Sequence, residues 1–89
     1  SKRDLSFSIK DFSKSKLIEN YILNFKDKIL KKVFVFDYFY NTKEEEIKIG
    51  FRFVFQSQNK TITDEEVDLV IKKITDNTLN YDGISIPGY

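Results

Sequence analysis

The sequence predicts an α+β fold in which four β-strands form one antiparallel sheet and two helices cover one of its faces. Stretches with strand character occur four times, and stretches with apolar residues at helical spacing occur twice. They follow one another along the chain in the order β-α-β-β-α-β. A length of 89 residues suffices for one small core, so we expect a single domain over residues 1–89.

The first two elements are a strand and a helix. Apolar and polar residues alternate from Leu5 to Ile9, which predicts a half-buried strand near residues 4–10. A serine at either end of the segment Ser13–Ser15 offers an N-cap, and apolar side chains then recur every three to four positions. This spacing predicts an amphipathic helix near residues 15–28.

The next two elements form a predicted β-hairpin. The run from Val33 to Tyr40 is dense in β-branched and aromatic residues, which predicts a strand near residues 32–41. Large apolar residues occupy every second position from Ile47 to Phe55, which predicts a strand near residues 47–57. The polar segment between them contains the acidic run Glu44–Glu46, which we expect to be a solvated loop.

The last two elements are a capped helix and a short strand. Thr63 with Glu66 three residues later forms a capping box, which predicts a helix near residues 64–79. Gly83 ends this helical region, and a short strand follows near residues 83–86. Two helices on one face of a four-stranded antiparallel sheet form the ferredoxin-like arrangement, which leaves the other face open.

Composition argues against several classes of site. The chain has no cysteine and no histidine, so it has no disulfide framework, no thiol chemistry and no imidazole base or metal ligand. No paired carboxylate cluster suggests catalysis either, and we expect neither a catalytic nor a metal site. No apolar run approaches the roughly 20 residues of a membrane span, and we expect a cytoplasmic location. Because the chain begins with Ser1 rather than Met, we expect it to be part of a longer chain.

Charge is unevenly distributed although the net charge is only +1. Residues 1–32 carry nine basic and four acidic side chains, whereas residues 61–89 carry two basic and six acidic ones. Such a domain can present a positive surface to phosphates despite its neutral total. A chance excess of solvated lysines explains the distribution equally well.

The second predicted strand carries more aromatic side chains than one core face can bury. Period two places Val33, Val35, Asp37 and Phe39 on one face, and Phe34, Phe36, Tyr38 and Tyr40 on the other. Both faces cannot be core in a two-layer domain. Either one face is an exposed aromatic platform, on which bases could stack, or a bulge near Asp37 changes the parity.

Four strings of residues, taken together, resemble those of a known family. They are Arg3-Asp4-Leu5, Val33-x-Val35-Phe36-Asp37-x-Phe39, Phe51-x-Phe53-x-Phe55-x-Ser57 and the segment Lys60–Val67. The last string, K-T-I-T-D-E-E-V, is similar to the family's R-T-L-T-D-E-E-V. In this order and at these separations they resemble the anticodon-binding domain that ends bacterial phenylalanyl-tRNA synthetase β subunits.

The resemblance implies a function and a set of partners. The chain would bind the anticodon stem-loop of phenylalanine tRNA and, in the parent enzyme, would accompany the synthetase α subunit and the remainder of the β subunit. Aminoacylation occurs in the α subunit, so the resemblance implies no catalytic residue and no cofactor for this chain. ATP and magnesium are implied only for the parent enzyme, which would be a phenylalanine–tRNA ligase. No membrane partner is implied.

The same resemblance indicates the residues that would touch RNA. Asp37 matches the aspartate of the family's Phe-Asp-x-Tyr motif, which contacts the first anticodon base, and Phe39 keeps the ring of the tyrosine but lacks its hydroxyl. The family often has Lys-Ser where this chain has Ile47-Lys48, and an arginine near Ser85. Arg52 shares the outward parity of Lys48 and is a further candidate for a phosphate contact. The predicted RNA-binding residues are Asp37, Phe39, Lys48, Arg52 and Ser85.

Other interpretations of these residues remain open. Asp37 could cap backbone donors at a strand end, Phe39 could be a core residue, and Arg52 and Lys48 could lie on a plain solvated surface. Acylphosphatases share the predicted topology but need a glycine-rich loop with an arginine after the first strand, and the segment 10–15 has neither. A regulatory or dimerisation module of the same fold remains the alternative to RNA binding.

Overall fold

The computed structural model describes all residues from 1 to 89 and contains six regular elements. They are β1 (Lys2–Ile9), α1 (Ser15–Leu23), β2 (Leu30–Asn41), β3 (Glu46–Phe55), α2 (Asp64–Thr78) and β4 (Ile84–Ser85). A short 3-10 turn, Phe12–Lys14, leads into α1. The order β-α-β-β-α-β is the predicted one, and the strand boundaries differ from the prediction by two residues or fewer.

The strands form one four-stranded sheet in the order β2-β3-β1-β4. All three pairings are antiparallel, and the longest uninterrupted register joins β1 to β3, from Lys2 opposite Val54 to Ile9 opposite Ile47. Because β1 and β3 occupy the centre, β2 and the two-residue β4 are the edges. This arrangement, with its two helices, is the predicted ferredoxin-like α+β fold.

The core lies between the helices and one face of the sheet. Its strand members share one parity, and its helical members form one stripe on each helix. The buried core residues are Leu5, Phe7, Ile9, Ile18, Ile22, Ile29, Ile49, Phe51, Phe53, Phe55, Val67, Val70, Ile71, Ile74, Ile84 and Ile86. Both helices therefore pack on the same face of the sheet, as predicted, because burial of this apolar area drives the two layers together.

The capping box of α2 forms as the sequence predicts. The backbone N–H of Glu66 donates to the Thr63 hydroxyl, and the Glu66 carboxylate accepts from the Thr63 backbone N–H. Both contacts satisfy donors that would otherwise be unpaired at the helix start. An ion pair between Arg3 and Asp68, 2.7 Å long, then fastens α2 to β1.

Helix α1 is shorter than predicted, since it ends at Leu23 rather than near residue 28. The Asn20 carbonyl accepts from both the backbone N–H and the side-chain amide of Asn24. The backbone N–H of Phe25 then donates to the Ile22 carbonyl, three residues back, so the helical hydrogen-bond pattern stops there. Asp27 then accepts from the backbone N–H of Ile29 and shapes the turn into β2. Phe25 still packs against the core from this loop, so its apolar spacing indicated burial correctly and helix length incorrectly.

A four-residue loop joins β2 to β3 at the tip of the hairpin. The Asn41 side chain accepts from the backbone N–H groups of Lys43 and Glu44. Glu45 completes the loop with a φ of 51°, in the left-handed region.

None of the helices has the length and apolar composition needed to cross a membrane.

Candidate nucleic-acid interface

The face of the sheet that points away from both helices is the candidate interface, and we call it the open face. On β3 it consists of Glu46, Lys48, Gly50, Arg52 and Val54, which alternate with the strand's inward-facing residues. Side chains here are available to a partner because the two helices cover only the opposite face.

A β-bulge in β2 decides which of its aromatic residues join the open face. The register of β2 against β3 shifts between Val35 and Asp37, so Phe36 and Asp37 together oppose Gly50. Val35, opposite the core residue Phe51, faces the helices, whereas Asp37 lies on the open face. The strict period-two assignment of the β2 faces is therefore wrong beyond Phe36, and the bulge that we considered as an alternative is confirmed.

One row of the open face crosses all four strands. Phe39 stands opposite Lys48, Lys48 is paired with Ser8, and Ser8 is paired with Ser85. Strands lie about 4.8 Å apart, so this row spans roughly 15 Å. The Phe39 side chain is 54% exposed, which excludes the interpretation of its ring as a core residue. The row thus presents an aromatic ring, an ammonium group and a hydroxyl side by side.

Asp37 lies in the next row of the open face, beside Gly50, which is in turn paired with Ser6. Its side chain is exposed, and it takes no part in any of the hydrogen bonds or ion pairs of the structure. A strand-end capping role is excluded because Asp37 is in the middle of β2. Both carboxylate oxygens are free to accept from a donor outside the chain.

Gly50 makes room for the Phe36 ring on the open face. A Cβ added to Gly50 would lie 2.9 Å from Cε1 and Cζ of Phe36 and 3.3 Å from Cβ of Asp37. Any larger residue at position 50 would therefore push the ring away from β3. A glycine inside a strand often marks such a close approach or a bulge, and here it marks both.

Arg52 is held in the third row by Asp4. Its Nε and Nη2 each donate a hydrogen bond of 2.9 Å to the Asp4 carboxylate, and its guanidinium carbon lies 4.7 Å from the centre of the Phe36 ring. The hydrogen bonds from Arg52 lower the pKa of Asp4, and those same bonds raise the pKa of Arg52. Asp4 engages only one edge of the guanidinium, so the Nη1 side of Arg52 can still donate to a partner.

Cations from β2 and β3 lie beside the aromatic rings of β2 on the open face. Phe34 is paired with Arg52, and the Lys32 ammonium lies 5.5 Å from the centre of the Phe34 ring. Phe34, Phe36 and Phe39 are 37%, 40% and 54% exposed, respectively. The open face thus carries a line of accessible rings with cations beside them, a composition typical of surfaces that bind single-stranded nucleic acid.

Glu46, which we expected in a solvated loop, is buried and begins β3. Its carboxylate accepts a hydrogen bond from the Ser8 hydroxyl and lies 3.8 Å from the Lys48 ammonium. The expectation failed because the contacts that cover Glu46 come from β1 and from its own strand, not from the loop. Glu44 and Glu45 are exposed, as expected.

The structure brings the predicted residues together on one surface. Asp37, Phe39, Lys48, Arg52 and Ser85 all lie on the open face, within three successive rows. Sequence reasoning missed the exposed ring of Phe34 and the role of Asp4 in holding Arg52. Asp4 and Arg52 are 48 positions apart, and no local signal joins them. No group of three or more acidic side chains is clustered in a way that could hold a metal ion.

Comparison with known proteins agrees with this geometry. The model of the ferredoxin-fold anticodon binding domain family matches residues 1–85. The chain belongs to this family. The phenylalanine–tRNA ligase beta subunit of Syntrophus aciditrophicus (strain SB) is 31% identical over 88 residues, which are 97% of this chain and 11% of that protein. Membership of the ferredoxin-fold anticodon binding domain family supports a tRNA-binding role, and the chain spans only a small part of the relative's length.

Proposed function

We propose that the chain binds the anticodon stem-loop of phenylalanine tRNA through its open face. The observation that carries this proposal is the bulge at Phe36, which turns a free carboxylate and an exposed ring, two residues apart, from the helix side of β2 to the open face. A base could stack on the ring while its edge donates to the carboxylate. Both family membership and the similarity to a phenylalanine–tRNA ligase beta subunit support this substrate.

Phe39 and Asp37 would have different tasks in this complex. Stacking on Phe39 supplies affinity and tolerates any base, because every base has an aromatic face. The Asp37 carboxylate only accepts hydrogen bonds, so it favours a base whose edge offers N–H donors, such as guanine. Asp37 would therefore determine which base occupies the position that Phe39 supports.

The remaining predicted residues would hold the RNA backbone. Lys48 lies next to Phe39 in the same row, so its ammonium could reach the phosphate of a nucleotide whose base is stacked on Phe39. The Ser85 hydroxyl at the far end of that row could donate to a phosphate or a ribose. Arg52, oriented by Asp4, would use its free Nη1 edge. These contacts position the RNA and carry no sequence information.

We further propose that the chain is the C-terminal part of a phenylalanyl-tRNA synthetase β subunit in the cytoplasm. In this arrangement the α subunit and the remainder of the β subunit supply catalysis with ATP and magnesium, and this chain supplies tRNA binding alone. The 11% share of the relative that the chain matches is consistent with one module of a much longer subunit.

A pair of neighbouring substitutions tests the binding face. Phe39→Ala should weaken binding of the phenylalanine tRNA anticodon stem-loop by about 1–3 kcal/mol, the loss typical of one stacked base. Tyr38→Ala is the matched control. Tyr38 is 56% exposed, like Phe39, but it is paired with the core residue Ile49 and therefore lies on the helix side of the sheet. It should leave binding unchanged. Affinities are measured by fluorescence titration, with thermal melts of both variants.

Two results would contradict the proposal. Equal losses for Phe39→Ala and Tyr38→Ala would mean that the open face is not where RNA binds. A chain that forms a stable dimer in gel filtration, and whose elution and spectra do not respond to the stem-loop, would favour the dimerisation module instead.

A further inference from the structure

A basic cleft lies at the end of the sheet opposite the hairpin tip. It forms where the loop before β2 meets the loop after β3, has a volume of about 680 Å³, and is lined by Lys28, Lys31, Lys60 and the polar segment Gln56–Asn59, among others. Only two of its nine lining residues are hydrophobic. Apolar ligands favour apolar pockets, so this cleft suits a charged and strongly hydrated ligand.

The charges of the cleft select an anion. Lys28 and Lys31 have no ion-pair partner, whereas the Lys60 ammonium lies 3.0 Å from the Glu66 carboxylate. The nearby Asp27 carboxylate accepts from the Ile29 backbone N–H. Two uncompensated ammonium groups therefore dominate the cleft, and phosphate oxygens are the anions that such groups commonly bind.

The cleft continues the line of side chains on the open face. Lys31 is the extra residue of a second β2 bulge, between Leu30 and Lys32, and Lys32 lies over the Phe34 ring. From Lys31 to Phe39 along β2 is about 25 Å, at roughly 3.3 Å per residue. An RNA strand that lies on the open face could thus follow β2 into the cleft.

We propose that this lysine cleft is a second RNA contact, which holds the sugar-phosphate backbone some distance from the base bound at Phe39. The inference rests on the proposed function, since it needs an RNA already located on the open face. It adds a site that recognises phosphate charge alone, so it should act on every RNA sequence equally.

The test compares two double variants that remove the same charge. Lys28→Gln with Lys31→Gln empties the cleft of its unpaired cations, and Lys16→Gln with Lys72→Gln removes two exposed lysines on the helices. The dissociation constant of the 89-residue chain for the phenylalanine tRNA anticodon stem-loop is measured over a range of salt concentrations. The cleft variant should bind up to about fivefold more weakly per lysine. Its log–log salt slope should be smaller by about 0.7 to 0.9 per lysine.

Three outcomes are informative in different ways. If Phe39→Ala weakens binding but the cleft variant matches the helix control, the cleft proposal is wrong and the proposed function stands. If the unmodified chain binds no stem-loop, both fail together. If neutral methylphosphonate linkages at single stem-loop positions abolish the difference between the two double variants, the lysines contact those phosphates, as proposed.

Inorganic phosphate is the alternative ligand for the lysine cleft. In an NMR titration, the backbone amide resonances of Lys31 and Gln56 should shift when the stem-loop is added. The same resonances should not shift when inorganic phosphate is added to an equal concentration of negative charge. Shifts caused by inorganic phosphate alone, with none from RNA, would identify a small-anion site and overturn the proposal.

Discussion

The Arg52 guanidinium lies over the Phe36 ring, 4.7 Å from its centre, while Asp4 holds the same guanidinium through two hydrogen bonds. Residues from three strands thus meet at the bulge that turns Asp37 toward the open face. Gly50, beneath the ring, completes the arrangement by having no side chain. The position of the free carboxylate therefore depends on residues that need never touch RNA.

Gly50→Ala should disturb this arrangement. The added Cβ would stand 2.9 Å from the Phe36 ring, so the ring must move and Asp37 must move with the bulge. We expect a loss of at most about 1 kcal/mol in the free energy of unfolding, below the usual cost of overpacking a core, because the Phe36 ring is 40% exposed and its outer end can move. Urea denaturation followed by far-UV circular dichroism measures this change.

Two further variants identify the cause of that loss. Ser6→Ala alters the open-face residue paired with Gly50 and should change stability by less than about 0.5 kcal/mol. In a background of Phe36→Ala the methyl group at position 50 has space, so Gly50→Ala should cost much less there. Additive effects of the two substitutions would contradict the proposed clash.

Much of this fold follows from local patterns, because alternation and capping depend on neighbouring residues. The capping box at Thr63 formed as predicted, and the apolar stripe of α2 became core. The glycine at position 50 was a usable signal for the bulge, since glycine inside a strand often marks one. The early end of α1 depends on the Phe25 backbone N–H, which donates to Ile22 and not to Tyr21, and apolar spacing does not reveal this change.

The candidate site was harder to predict than the fold. The five predicted residues share a face, yet their partners come from distant strands. Asp4 binds Arg52, and Ser8 covers Glu46 from 38 positions away. Such contacts exist only once the sheet has set its register, so a single sequence does not contain them as a local pattern.

Stability should fall in acid because folding lowers three carboxyl pKa values. Hydrogen bonds from Arg52, Ser13 and Lys60 are the largest causes for Asp4, Asp11 and Glu66, respectively. Each group stabilises the fold fully above its ordinary pKa, 3.8 for Asp and 4.5 for Glu. This contribution disappears as pH falls through the lower folded-state value.

Urea denaturation at a series of pH values checks this expectation. The free energy of unfolding should change little from pH 7 to about 5 and decline below about 4.5. The chain has no histidine to add a transition between these values. Asp4→Asn should make the acid decline shallower, whereas Asp82→Asn, at an exposed carboxyl without an ion pair, should leave it as it is. A decline that Asp4→Asn does not alter would contradict the assignment.

Glu45→Gly should stabilise the hairpin tip. Glu45 has a φ of 51°, a conformation that costs an ordinary L-residue about 1 kcal/mol and glycine almost nothing. Glu44→Gly is the control, because Glu44 has no positive φ and should lose stability through the added freedom of the unfolded chain. Thermal melts of both variants at neutral pH provide the measurement. A lower melting temperature for Glu45→Gly than for the unmodified chain would show that the loop does not hold this conformation in solution.

Asp37→Asn tests whether base identity is determined at the bulge. The substitution keeps the size of the side chain but replaces one acceptor oxygen with a donor amide, so a base edge that offers only N–H groups loses a hydrogen bond. Binding should weaken by about 1–3 kcal/mol for the preferred base and change little for bases whose edge offers an acceptor. Stem-loops that differ only at the stacked position, titrated against both proteins, measure this discrimination. Lys48→Gln in the neighbouring row should instead weaken every stem-loop alike and lower the salt slope by about one unit, because it would remove the proposed phosphate contact. If Asp37→Asn weakens all stem-loops equally, with no change in their ranking, the carboxylate positions the RNA and does not read a base.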